Sequence, residues 1–119
     1  MINGVHAIIY SKRAEAIRAF FRERLGCPSV DAGGGWLIFA LPPAEIAMHP
    51  DDGDEDRCEL YLMCDDLAAT LDALHLKGVE TSGEIHEERW GRLTSIRIAD
   101  GSEIGLYQPK HPTAINMKP

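Results

Sequence analysis

The sequence predicts an α+β domain made of two tandem βαβββ modules, and three observations predict it. First, a strand-like run, an amphipathic helix and a glycine stop recur in the same order. They fall at residues 5–10, 12–25 and Gly26, and again at 59–64, 67–77 and Gly78. Second, the offset is nearly constant, 53 residues from His6 to Glu59 and 52 from Gly26 to Gly78. Self-similarity at a fixed period marks a repeated supersecondary unit. Third, each helix is followed by short β-type segments and turns, ending at residues 45–49 and 103–107.

Each element has its own local signal. Residues 5–10 read as a strand. In the first helix Ile17, Phe20, Phe21 and Leu25 share one face in an i, i+3, i+4, i+8 stripe. Ser11 is the expected N-cap, Gly26 the left-handed stop, and Pro28 stands just beyond. Gly33, Gly34 and Gly35, then Pro42 and Pro43, punctuate β segments near 36–40 and 44–49. In the second module 59–64 is again a strand. Asp65 or Asp66 caps the helix that follows, which stacks Leu67, Leu71 and Leu74. Residues 81–89 are polar enough for a loop or a poor edge strand. Asp100-Gly101 is a hairpin turn between strands at 93–98 and 103–107. The layout is a single domain: module one about 3–50, an acidic linker about 51–57, module two about 58–109, and a tail at 110–119 with no anchoring signal. The linker lacks the D-x-D-x-D-G order of a calcium loop, so a solvated loop is the expectation.

Composition excludes several classes of function. The chain has 119 residues, one domain's worth. Its net charge is −7 and no Lys/Arg stripe appears, so nucleic acid is not the expected partner. No apolar run approaches 18 residues and no signal peptide is read, so neither membrane insertion nor export by that route is expected. Cys27, Cys58 and Cys64 are odd in number and form no C-x-x-C pair, which points to reduced thiols in a cytoplasm.

The strand opening with His6, the duplicated βαβββ layout and the ending Asp100-Gly101-Ser102-Glu103-Ile104-Gly105-Leu106-Tyr107-Gln108 resemble the vicinal oxygen chelate superfamily. That group includes glyoxalase I, bleomycin-resistance, fosfomycin-resistance and extradiol dioxygenase proteins. The resemblance covers about residues 3–109. It implies that each module curls into half of an incomplete barrel around a cleft, with the helices on the outer face. It also implies four metal-ligand positions, on the first and last strand of each module. Here they fall on His6, Ala47, Glu59 and Gly105, so two of the four lack a donor. Strand alternation offers Glu45, His49 and Glu103 on the same faces, but a two-residue step of about 7 Å far exceeds a metal–ligand bond of about 2.0–2.6 Å. His86-Glu87-Glu88-Arg89-Trp90 lacks the second histidine of H-E-x-x-H.

The expected function is therefore that of a glyoxalase/bleomycin-resistance/dioxygenase-like protein with a degenerate metal site, binding a small organic molecule without a cofactor. The alternative is a metal-dependent lyase or dioxygenase using a shifted ligand set, with Zn, Mn, Fe, Ni or Mg. His6 and Glu59 are the catalytic candidates, as an acid/base pair, and the only weak metal candidates. Trp36, Tyr61, Trp90 and Tyr107 are expected as stacking surfaces, Arg92 as an anion clamp, and His49 and Glu103 as further cleft residues. No G-x-S-x-G nucleophile motif is present. His75 and His111 are read as surface residues. A homodimer is expected, with Trp90 as an interface anchor.

Overall fold

The second half of the chain folds as its sequence pattern predicts. The computed structural model describes residues 6–47, 50, 53 and 58–115. The Asp66 carboxylate accepts the Ala69 N–H at 3.0 Å and caps α2 (Leu67–Leu76). The Leu67 N–H, a second donor left orphaned at the helix start, goes to the Gln108 side chain at 2.8 Å. Gly78, at φ +80°, then stops the helix while the Val79 N–H returns to the Leu74 carbonyl. Beyond it β4 (Thr81–Glu88), β5 (Gly91–Ala99) and β6 (Ser102–Pro109) form an antiparallel meander. β3 (Tyr61–Met63) joins parallel to β6, giving the order β3-β6-β5-β4. β4 is the poor edge strand that its polarity announced: it is mostly exposed, and its register shifts between Ser82 and His86.

The first module is shorter than predicted. α1 (Ala14–Glu23) begins later than expected, and Ser11 accepts the Arg13 N–H rather than capping the first turn. Its end matches: Gly26 has φ +67°, and the Cys27 N–H bonds to the Phe21 carbonyl. β1 (Ser29–Asp31) and β2 (Leu37–Phe39) form a hairpin around the three glycines. The β1 strand escapes sequence reading because three residues carry no period-two signal. The sequence predicts a strand over 5–10; Val5 lies outside the described residues, and among the described residues 6–10 have no ladder partner. Residues 41–47 also lack one, while Met48 and His49 lie outside the described residues. Apolar, β-branched spelling becomes a strand only where a neighbouring edge supplies hydrogen bonds.

The core lies where the helix stripes require it. Ile17, Phe20 and Phe21 of α1 and Leu67, Leu71 and Leu74 of α2 pack with Val79, Ile96, Ile98, Ile104 and Leu106. Each such side chain contributes about 1.5–3 kcal/mol by leaving water. Alternation along β5 and β6 puts their even-numbered residues on this helix side. Ser95, Glu103, Gly105 and Tyr107 therefore face the other way, onto the sheet face opposite the helices. The architecture is the expected α+β layer, with both helices on one face of the main sheet.

Candidate functional site

The face opposite the helices carries a continuous aromatic row. Tyr61 on β3 lies opposite Gly105 on β6 in the parallel register. Gly105 leaves room for the Tyr61 ring to lie directly across it, and any Cβ at position 105 would collide with the ring carbons. Glycine within a strand often marks such a close approach. From there the Tyr61 ring meets Tyr107 edge-on at 5.6 Å, and Tyr107 meets Trp90 edge-on at 5.8 Å. Trp90 sits in the turn between β4 and β5 and is 43% exposed. Edge-to-face rings at these distances hold one another and leave faces open to a ligand.

Carboxylates edge the row. A shallow, solvent-open recess of about 270 Å³ is lined by Glu59, Leu60, Tyr61, Ser95, Glu103, Ile104 and Gly105. The Tyr61 hydroxyl donates to Glu59 Oε2 at 2.8 Å.

The tail closes the far end of the row, contrary to the expectation that it is unanchored. The Lys110 N–H donates to the Trp90 carbonyl at 2.8 Å, and the Lys110 ammonium donates to Glu87 at 2.7 Å. The His111 ring lies 6.1 Å from the Tyr107 ring. His111 Nδ1 faces the Pro112 carbonyl at 2.7 Å, an acceptor only, so Nδ1 carries the proton in the neutral ring. Nε2 is then the acceptor for the Tyr107 hydroxyl at 3.3 Å. Glu45 accepts the Ala114 N–H at 2.7 Å. Burial pushes the Tyr107 phenol up, and the Glu45 carboxylate adds to that shift. His111, read as a surface residue, is thus half-buried against the row. No local signal marks it, because its partners lie in other segments of the chain.

The remaining sequence candidates are placed elsewhere. His6 stands in the exposed segment 6–10, which has no ladder partner among the described residues, and His49 is outside the described residues. Trp36 lies beside the Arg18 guanidinium of α1, with the charge 5.0 Å from its ring centroid. Arg92 pairs across strands with Glu87, on the helix side of the sheet rather than beside Tyr107. Its Nε forms an ion pair with the Glu87 carboxylate at 2.5 Å. Cys27 and Cys64 pack against the core, and burial pushes both thiols up, which keeps them protonated and unreactive; Cys58 is exposed. Among the described residues no group of three or more His, Cys, Asp or Glu side chains is arranged to hold a metal ion. Among them, too, no helix is long and apolar enough to cross a membrane.

No protein-family model matches the chain, and no curated protein does. Solved structures do match. An antibiotic binding protein from Streptomyces sp. CB03234 is 26% identical with a TM-score of 0.63, over 92% of this chain and 98% of its own. A lactoylglutathione lyase from Agrobacterium tumefaciens is 15% identical with a TM-score of 0.60, over 90% and 94%. A glyoxalase/bleomycin resistance protein from the same Streptomyces is 26% identical with a TM-score of 0.53, over 82% and 92%. Two helices backing one face of an open sheet form the α+β arrangement that this chain shares with these solved structures. Within it, the fold of this chain is that of the vicinal oxygen chelate superfamily, as the resemblance implied.

Proposed function

We propose that the protein binds a small, flat organic molecule on the aromatic row and does so without a chelated metal. The observation that carries this reading is the Tyr61 ring lying across Gly105. In the resembling family that strand position supplies a carboxylate ligand; here an aromatic face takes the space. Ala47 brings no donor, which leaves His6 and Glu59, and the Glu59 carboxylate accepts the Tyr61 hydroxyl. Two donors would leave an ion mainly to water, so these residues do not fit a chelated metal. The structural likeness to an antibiotic binding protein supports the same reading. The three free cysteines suit a reducing compartment such as the cytoplasm.

The recess of about 270 Å³ is smaller than the roughly 300–1,000 Å³ of most small-molecule pockets. A second copy of the chain is proposed to supply the missing wall. Exposed Ile8, Tyr10, Val30 and Ile46 are among the apolar side chains that such an interface would cover.

Metal analysis of the purified protein, with a thermal-shift scan over divalent cations, tests the reading. An ion at a hundredfold excess over its dissociation constant would stabilise the fold by about 2.7 kcal/mol. The expected result is no stoichiometric metal and no cation-dependent shift, with a small organic molecule retained in native mass spectrometry and lost in Tyr107→Ala. A stoichiometric metal would instead establish the lyase or dioxygenase reading with a shifted ligand set.

A further inference from the structure

We propose a second binding site, away from the aromatic row, for a flat aromatic anion between α1 and the β1–β2 hairpin. Glu15, Arg18, Ala19, Arg22, Gly35 and Leu37 line a hollow of about 300 Å³ there. Trp36 stands at its rim, 67% exposed, with the Arg18 guanidinium 5.0 Å from its ring centroid. The loop presenting Trp36 is built rather than slack. The Asp31 carboxylate accepts the N–H groups of Gly33 at 2.7 Å and Gly35 at 3.3 Å, and the Trp36 N–H bonds to the Gly33 carbonyl. All three glycines have positive φ, which such a turn requires.

The charge distribution singles out this surface. Residues 12–24 hold five cations (Lys12, Arg13, Arg18, Arg22 and Arg24) and two carboxylates (Glu15 and Glu23), a local +3 in a chain of −7. Arg18 and Arg22 are one helical turn apart, a like-charged i, i+4 spacing that costs a helix a few tenths of a kcal/mol. Folding gains nothing from that pairing. Arg22 reaches Glu23 at 3.2 Å, whereas Arg18 makes no ion pair or hydrogen bond among the described residues. Its planar fork of N–H donors matches a carboxylate or phosphate. An aromatic ring lying in the hollow, edge-on to Trp36, would bring an anionic substituent to Arg18, with Arg22 one turn further along α1. Neutralising Arg18 in this way removes the unfavourable i, i+4 contact, so binding and helix stability reinforce one another.

The test uses Trp36 emission in the full chain carrying Trp90→Phe, excited at the red edge of tryptophan absorption. Benzoate, cyclohexanecarboxylate and inorganic phosphate are titrated in parallel. Saturable quenching by benzoate is expected, with at least fivefold weaker binding in Arg18→Gln and at least threefold weaker binding of cyclohexanecarboxylate. Circular dichroism of Arg18→Gln should match the parent and its melting midpoint should stay close to it, because loss of the Trp36 ring contact and relief of the Arg18–Arg22 repulsion act in opposite directions. Equal affinity for phosphate and benzoate would overturn the aromatic part of the site. Linear quenching, or identical affinity with and without Arg18, would overturn the site altogether. Neither result bears on the Tyr61–Tyr107–Trp90 row.

Discussion

Replacing Gly105 with alanine is the sharpest probe of the Tyr61 packing. The added methyl would stand 2.5 Å from Tyr61 Cε1 and 3.1 Å from Cγ, and closer still to Cδ1, far inside carbon–carbon contact. The obstacle is a side-chain ring rather than backbone, so Tyr61 swings out instead of the strands parting. An off-rotamer ring costs about 0.5–1.5 kcal/mol. The lost edge contact with Tyr107 costs about 0.5–1.5 kcal/mol more. The Tyr61–Glu59 hydrogen bond is exposed and adds about 0.5 kcal/mol. Against this, alanine gains about 0.5–1 kcal/mol over glycine within a strand. The net loss is about 1–3 kcal/mol, or a fall in Tm of roughly 5–10 °C for a domain of this size. Urea denaturation of Gly105→Ala, Tyr61→Ala and the double variant separates the terms. In the Tyr61→Ala background the methyl has nothing to strike, so Gly105→Ala should be neutral or stabilising by up to about 1 kcal/mol. An equal cost in both backgrounds would refute the packing of Tyr61 on Gly105.

Phe21→Ala should cost about 3–5 kcal/mol in the same assay, because Phe21 is buried against Phe20 and Phe39; a loss below about 1 kcal/mol would remove it from the core. His111→Ala should speed hydrogen exchange at the Lys110 and Ala114 amides, and unchanged exchange would show that the tail is held without the ring. Hydrogen bonding to the Lys110 ammonium, with Arg92 also beside it, holds the Glu87 carboxyl below its ordinary 4.5. The stabilisation from a lowered carboxyl is present above pH 4.5 and is lost as pH falls through the lower folded value. A carbon-13 carboxyl titration should therefore show Glu87 below 4.5, and Lys110→Met should move it back up. Light scattering at micromolar concentration should report about twice the chain mass; a clean monomer would leave the recess without its proposed second wall.

The helices and their stops were legible because they are local: the Asp66 cap, the Gly26 and Gly78 stops and both apolar stripes lie within a few residues of what they govern. The Asp100-Gly101 hairpin was legible for the same reason. Residues 6–10 and 41–47 have the composition of strands, yet strand formation depends on an edge elsewhere, which no spacing encodes. Gly105 was read as a position that lacks a metal donor. What it does is seat Tyr61, 44 positions earlier in the chain. The contact of His111 with Tyr107, and the 3.9 Å approach of its Nε2 to Glu45, were likewise out of reach, since they depend on where three separate segments end. Arg92 lies on the helix side, beside Glu87, because one residue along a strand decides which face a side chain joins.

The parallel ladder between β3 and β6 has a kinetic consequence. β4, β5 and β6 are joined by short turns and can zip one against the next, whereas Tyr61 reaches Gly105 only after a loop of 44 residues closes. Loop closure costs entropy before the contact repays it, so the meander forms early and β3 adds late. β3 is only three residues long, the shortest strand of the main sheet, and is expected to be the first of that sheet to detach. Each detachment lifts Tyr61 off Gly105. Opening of the recess is thereby coupled to a partial unfolding step of the sheet edge, and a ligand seated on Tyr61 would slow amide exchange along Tyr61–Met63 before anywhere else.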